Sequence, residues 1–339
     1  MGSLAAVLLP VALLALLHSP VTTAENSNLF REYIGTMYNG VKFSDVPINP
    51  DVQFDFILAF VIDYTTSTRP PSPTNGRFQI SWENTVLTPS AVAAIKRRNP
   101  NVRVAVSLGG AIVSHTHVVF TADSVDSWVQ NAVDSLTGII QKYGLDGIDI
   151  DYEKFHGDKA TFAECIGQLV TTLKDNGVIQ FASIAPFDDP PVQSHYKALW
   201  ASYGDVIDYI NFQFYGYNPS ITADEYVSHF NDQLANYPGG NILASFSTEP
   251  DRPTSSIDTV LSACQTLQSQ GNLYGIFIWA ADYSKSQGFK SKNKKKSQGF
   301  KYETQAQALV ASAKLHCFAA SSFLRGFSCN SIESNGVVY

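Results

Sequence analysis

A chain of 339 residues with a formal net charge of −7 gives no footing for nucleic-acid binding, which needs a basic face, and leaves a neutral substrate unopposed. Hydrophobic residues at 45% and charged residues at 16% suit a globular fold with a sizeable core. Four cysteines (Cys165, Cys264, Cys317 and Cys329) are too few for a disulfide-stapled scaffold and lack metal-ligand spacing.

The opening run MGSLAAVLLPVALLALLHSPVTTA has no acidic group, and small residues follow its apolar stretch at Thr22, Thr23 and Ala24. That stretch is shorter than the roughly 20 residues a membrane span needs, so residues 1–24 read as an export signal, with an uncleaved anchor as the alternative. The expectation is a soluble protein starting near Glu25 and secreted to the extracellular space or a vacuole, with no membrane role.

Eight runs rich in β-branched and aromatic residues follow, at 32–38, 55–63, 102–108, 147–153, 181–187, 206–214, 242–247 and 273–280. Several are almost continuously apolar, as strands buried on both faces should be. Helical patterns at 88–98, 125–143, 159–174, 223–237 and 256–269 fall between them, most opening on a capping residue such as Thr88 or Ser124. Eight alternating units predict an α/β fold of the closed (β/α)8 TIM-barrel type. An open doubly wound sheet is the runner-up, but Asn39-Gly40-Val41-Lys42 is not the glycine-rich turn it would carry.

Barrel sites lie at the carboxyl ends of the strands. There the fourth run reads Asp146-Gly147-Ile148-Asp149-Ile150-Asp151-Tyr152-Glu153. Strand alternation puts Asp149, Asp151 and Glu153 on one face and the isoleucines on the other, toward the helices. Three carboxyl groups crowded together retain a proton near neutrality, which is what a general acid requires. A calcium site is the competing reading, but such sites draw ligands from a flexible turn rather than a stiff strand. A structural ion-pair network competes as well, though no Lys or Arg lies on this run.

The run resembles the DxxDxDxE signature of glycoside hydrolase family 18, and Ser107-Leu108-Gly109-Gly110 resembles that family's SxGG motif. Residues 30–50, 162–189 and 207–215 are similar to plant chitinases of the bulb type within the family, and the likeness covers about 28–315. It implies an endo-acting, substrate-assisted retaining hydrolysis of β-1,4 N-acetylglucosamine linkages, a named exception to the two-carboxylate scheme. Glu153 would be the proton donor, Asp151 would orient the acetamido group, and Asp149 would share a proton with Asp151. The likeness also assigns Tyr215 to the acetamido oxygen and Trp279 to the floor of the sugar site. Gln213, Tyr38, Phe60, Ser107, Gly109 and Gly110 complete the expected substrate-binding set, and Asp146, of opposite parity, is left to support the fold. Chitin or N-acetylglucosamine oligosaccharides are the implied partners, with a monomer, no cofactor and no metal.

Two departures stand out. Lys285-Ser286-Gln287-Gly288-Phe289-Lys290 recurs at 296–301, an insertion expected to be a disordered basic loop above the cleft. Residues 316–339 form an extension beyond the likeness; a Cys317–Cys329 bridge and two free thiols both stand open there. A non-catalytic storage protein, lectin or inhibitor on the same barrel, or an enzyme cutting N-glycan cores, are the alternative functions.

Overall fold

The computed structural model describes residues 25–250, 255–289 and 299–312. Eight strands form the barrel: β1 (Leu29–Ile34), β2 (Gln53–Ile62), β3 (Val102–Gly109), β4 (Gly147–Asp151), β5 (Phe181–Ile184), β6 (Tyr209–Ile210), β7 (Leu243–Ser247) and β8 (Gly275–Trp279). They pair in parallel in the order β7-β8-β1-β2-β3-β4-β5-β6. A single parallel bridge, Ile210 to Ile242, joins β6 to β7, and the Ile210 N–H donates to Asn241 O at 2.9 Å. The ring is thus the expected (β/α)8 barrel, thinnest at β6.

Helices α1 (Pro89–Arg98), α2 (Val125–Tyr143), α3 (Lys159–Asp175), α4 (Pro190–Tyr203), α5 (Ala223–Asn236) and α6 (Ile257–Ser269) fill the crossovers from β2 onward. Helices α7 (Ala281–Phe289) and α8 (Lys301–Ala311) follow β8. Side-chain caps open most of them: Thr88 accepts from Ala91 N, Asp158 from Ala160 N and Thr161 N, and Thr222 forms a capping box with Glu225. Each cap contributes about 1 kcal/mol by satisfying amides that the helix leaves unpaired.

Strand parity sorts the core. Outward residues such as Phe30, Val104, Ile148 and Ile150 pack into the layer shared with the helices, while Leu29, Tyr33, Ile57, Ala59, Leu243 and Phe277 fill the ring. Register aligns the inward residues in rows: Arg31 lies level with Asp55, and Asp55 with Arg103. Two inward rows up, Ser107 is level with Asp149 and Asp149 with Ser183.

Several expected boundaries move. The first strand lies three residues earlier than read, because Arg31 and Glu32 are buried in its centre and Gly35, at φ +97°, ends it. Tyr38 therefore sits in the following loop. The fourth strand stops at Asp151, which leaves Glu153 two residues beyond it. The sixth shrinks to two residues. Helix α4 was hidden by its Pro190-Pro191 start, although proline is well placed in a first turn.

The first copy of the basic repeat is not a loose loop in its opening residues, since α7 continues through Phe289. Lys285 donates to Gly40 O at 2.6 Å and pairs with Asp45 at 2.9 Å, which anchors it to the chain after β1. The insertion's centre, residues 316–339 with Cys317 and Cys329, and residues 1–24, expected to be an export signal, lie outside the described residues. Cys165 and Cys264 are buried free thiols that burial pushes up to about 12. Among the described residues, no helix is long and apolar enough to cross a membrane.

Candidate active site

Strand β4 supplies the acids by alternation. Asp149 and Asp151 point into the ring, Asp149 fully buried and Asp151 nearly so. Asp146 lies on the outer side, where it takes Lys96 Nζ at 2.7 Å and the Val104 N–H at 2.8 Å. These contacts tie α1 and β3 to the strand's start, a support for the fold.

Asp149 is enclosed by donors from β1, β3 and β5 and from Asn211 just past β6. Tyr33 OH (2.8 Å) and Ser107 Oγ (2.7 Å) donate to Oδ2, while Ser183 Oγ (2.6 Å) and Asn211 Nδ2 (2.9 Å) donate to Oδ1. Burial, then the Asp149 and Asp151 charges, push the Tyr33 phenol well above its ordinary value, so it serves as a proton-bearing donor. With both oxygens engaged by donors, Asp149 has little left to offer a cation. Among the described residues no group of three or more His, Cys, Asp or Glu side chains is arranged to hold a metal.

Below this lies a charged layer. Asp55 takes a bidentate contact from Arg103 at 2.8 and 2.9 Å and lies 3.3 Å from Arg31 Nε. Arg31 Nη1 donates to Asn211 Oδ1 at 2.9 Å.

Above Asp149 the ring opens into a cleft of about 650 Å³, lined by Asp151, Glu153, Gln213, Tyr215, Trp279, Phe60, Tyr38 and Glu249, among others. Gln213 Nε2 donates to Asp151 Oδ1 at 3.0 Å and to Ala185 O at 2.9 Å, which fixes the carboxyl against one wall. The Trp279 ring packs 5.3 Å from Tyr33 and 5.9 Å from Phe60, centroid to centroid. Glu153 also borders a second hollow of about 410 Å³, with Phe155, Phe187 and His195. From α4, the Tyr196 hydroxyl lies 3.1 Å from the carbonyls of both Ile150 and Tyr152 and clamps the strand end that carries the acid.

The pattern of Glycosyl hydrolases family 18 matches residues 56–248, more than half of the chain. The chain belongs to glycosyl hydrolase family 18. It is 54% identical over 294 residues to "Chitinase 1" of Tulipa saxatilis subsp. bakeri, covering 87% of this chain and 90% of that one. The catalytic domain of a family GH18 chitinase from the fern Peteris ryukyuensis superposes with a TM-score of 0.77 at 54% identity, covering 84% of this chain and all of the other. A family 18 chitinase from Crocus vernus gives 0.78 at 51%, with the same coverage. The chain is accordingly a glycoside hydrolase.

Within this family 18 barrel, the expected site residues divide. Glu153, Asp151, Tyr215, Gln213, Trp279 and Phe60 line one cleft. Tyr38 reaches it only as an exposed rim residue, 72% accessible, with its hydroxyl donating to Ser81 O at 3.1 Å. Asp149 lies beneath the floor. Ser107, expected to touch substrate, is fully buried and spends its hydroxyl on Asp149. Gly109 and Gly110 also act through the backbone. Both have positive φ, the Gly110 N–H donates to Asp151 O at 2.9 Å, and a Cβ on Gly110 would lie 2.8 Å from the Phe60 ring. Asp63, just past β2, packs outside the ring, accepting from Tyr152 OH at 2.7 Å and Trp128 Nε1 at 3.3 Å. Missed altogether were Tyr33, Ser183, Asn211 and the Arg31–Asp55–Arg103 layer. Their signal was a charged or polar residue at an inward position of an otherwise apolar strand.

Proposed function

We propose that the chain is an endo-acting chitinase that hydrolyses β-1,4 N-acetylglucosamine linkages by substrate-assisted retention. The observation that carries this is the division of the alternating acids: Asp149 is sealed among donors while Asp151 and Glu153 border the cleft above it. Glu153 donates its proton to the glycosidic oxygen as the C–O bond breaks. The acetamido oxygen of the same sugar attacks the anomeric carbon, giving a cyclic ion that water then opens, its proton returning to Glu153. Asp151, held by Gln213, orients the acetamido N–H and balances the developing positive charge. Tyr215 addresses the acetamido oxygen, and Trp279 provides the apolar floor.

Hollows on both sides of Glu153 support a polymer lying across the acid, as endo-cleavage needs. The tulip, fern and crocus relatives, each titled a chitinase, support the substrate. The apolar leader at 1–24 supports export, extracellular or vacuolar, where such an activity would serve defence. The test is release of oligomers from colloidal chitin by the purified protein beside Glu153→Gln. Loss in the variant alone is expected; equal activity in both contradicts the mechanism, and none in either contradicts the enzyme reading.

A further inference from the structure

Strand β1 ends at Ile34, and the chain over 35–38 joins no further ladder. Its amides still need acceptors, because a buried N–H left unpaired costs as much as a lost hydrogen bond. One side chain supplies them. Asp282, in the first turn of α7 and wholly inaccessible, accepts the Gly35 N–H on Oδ2 at 2.9 Å and the Met37 N–H on Oδ1 at 3.0 Å. Burial pushes this carboxyl up, while the amides of Met37, Gly35 and Thr36 draw it back down. The backbone of Asp282 is used as well: Asn39 Nδ2 donates to its carbonyl at 2.9 Å and to Ser286 Oγ at 3.1 Å.

Both sides of this joint face the cleft. Gly35, Thr36 and Tyr38 line it from the β1 side, while Trp279, just before Asp282, and Tyr283, just after it, line it from the β8 side. Trp279 is itself seated, with its ring 5.3 Å from Tyr33 and its carbonyl accepting the Thr248 N–H at 2.7 Å. The loop has little room of its own: Gly35 has φ +97°, and a Cβ there would lie 3.0 Å from Trp82 Cβ. The place of Thr36 and Tyr38 relative to Trp279 is therefore fixed through Asp282. The acids are set by other contacts, Asp151 by Gln213 and the strand end before Glu153 by Tyr196.

We propose that Asp282 is a positioning residue that joins the loop 35–38 to the Trp279 turn, and so sets how tightly the cleft grips sugar rings lying over Trp279. This rests on the hydrolase reading above for the identity of the ligand, and adds a residue outside the catalytic set. A grip felt equally by bound substrate and transition state changes KM and leaves kcat alone.

The test compares wild type, Asp282→Asn and Asp282→Ala, with melting curves alongside. On a soluble N-acetylglucosamine oligomer, Asp282→Ala should raise KM about tenfold with kcat held within about twofold. Asp282→Asn, which keeps one acceptor and the volume, should raise it less. The Kd of the same oligomer, measured by calorimetry in a Glu153→Gln background so that nothing is cleaved, should rise in parallel. A merely structural role would cost folded protein, lowering the apparent kcat at unchanged KM and Kd, and that result overturns the proposal. If Asp282→Ala does not fold, hydrogen exchange in the Glu153→Gln protein decides. The Gly35 and Met37 amides should exchange slowly and slow further when the oligomer binds; fast exchange, or no response to the oligomer, overturns the proposal. An inactive wild type whose Kd still rises in the Asp282 variants removes the hydrolase reading and leaves the joint standing. No binding in any of the proteins overturns both.

Discussion

Asp149 and Glu32 are both fully buried carboxyl groups on barrel strands, and their surroundings could hardly differ more. Asp149, inside the ring, accepts four hydrogen bonds. Glu32, on the outer face of β1 beneath α7 and α8, has neither oxygen hydrogen-bonded among the described residues. Burial first, then the nearby Glu303 and Asp282, raise Glu32 well above the ordinary carboxyl range. Burial also pushes Glu303 up to about 7, with Ser284 donating to it. Burial alone thus favours the neutral acid; only a shell of oriented donors can favour the anion. The barrel keeps one kind of site for chemistry and the other for packing.

The sharpest way to break this contrast is a pair of isosteric amides. Asp149→Asn sets an NH2 against existing donors, and should lower kcat on chitin oligomers by about a hundredfold or more. Glu32→Gln replaces a neutral acid with a neutral amide and should stay within about twofold in the same assay. Equal losses would end the distinction. A smaller effect is expected from Tyr33→Phe, which deletes one of the four donors and should cost about tenfold in kcat/KM.

The smallest effect concerns stability. Glu303 has a folded value near 7 against about 4.5 for an ordinary glutamate. As pH rises, the unfolded chain therefore loses this proton first. The stability it contributes is fully present below about 4.5 and is lost as pH climbs through 7. Calorimetry between pH 4 and 8 should show Tm falling over that window, and Glu303→Gln should flatten the fall by a few degrees. A wild-type Tm that rises there instead would contradict the assignment.

Much of this was legible in the sequence because alternation is local. Asp149, Asp151 and Glu153 share a side for the same reason that Ile148 and Ile150 share the other, and eight apolar runs between helical patterns name the barrel. What could not be read was register. Nothing near Arg31 says that it will lie level with Asp55, or that Asn211 will close the circuit. Those contacts span the chain and exist only once the ring closes. Ser107, Gly109 and Gly110 came from the family likeness as part of the substrate-binding set, and no local pattern says what the structure adds: the Ser107 hydroxyl on Asp149, the Gly110 N–H on Asp151 O, and Gly110 close against the Phe60 ring. The displaced first strand has a related cause: a buried arginine and glutamate side by side do not resemble a strand centre.

The central claim is that Glu153 works without a protein nucleophile, the substrate's acetamido group taking that part. Proton NMR of the first product released from a soluble N-acetylglucosamine oligomer tests it most directly. The account predicts the β anomer at early times, relaxing to the equilibrium mixture. An initial α anomer would mean that water attacks in a single displacement, and would contradict it.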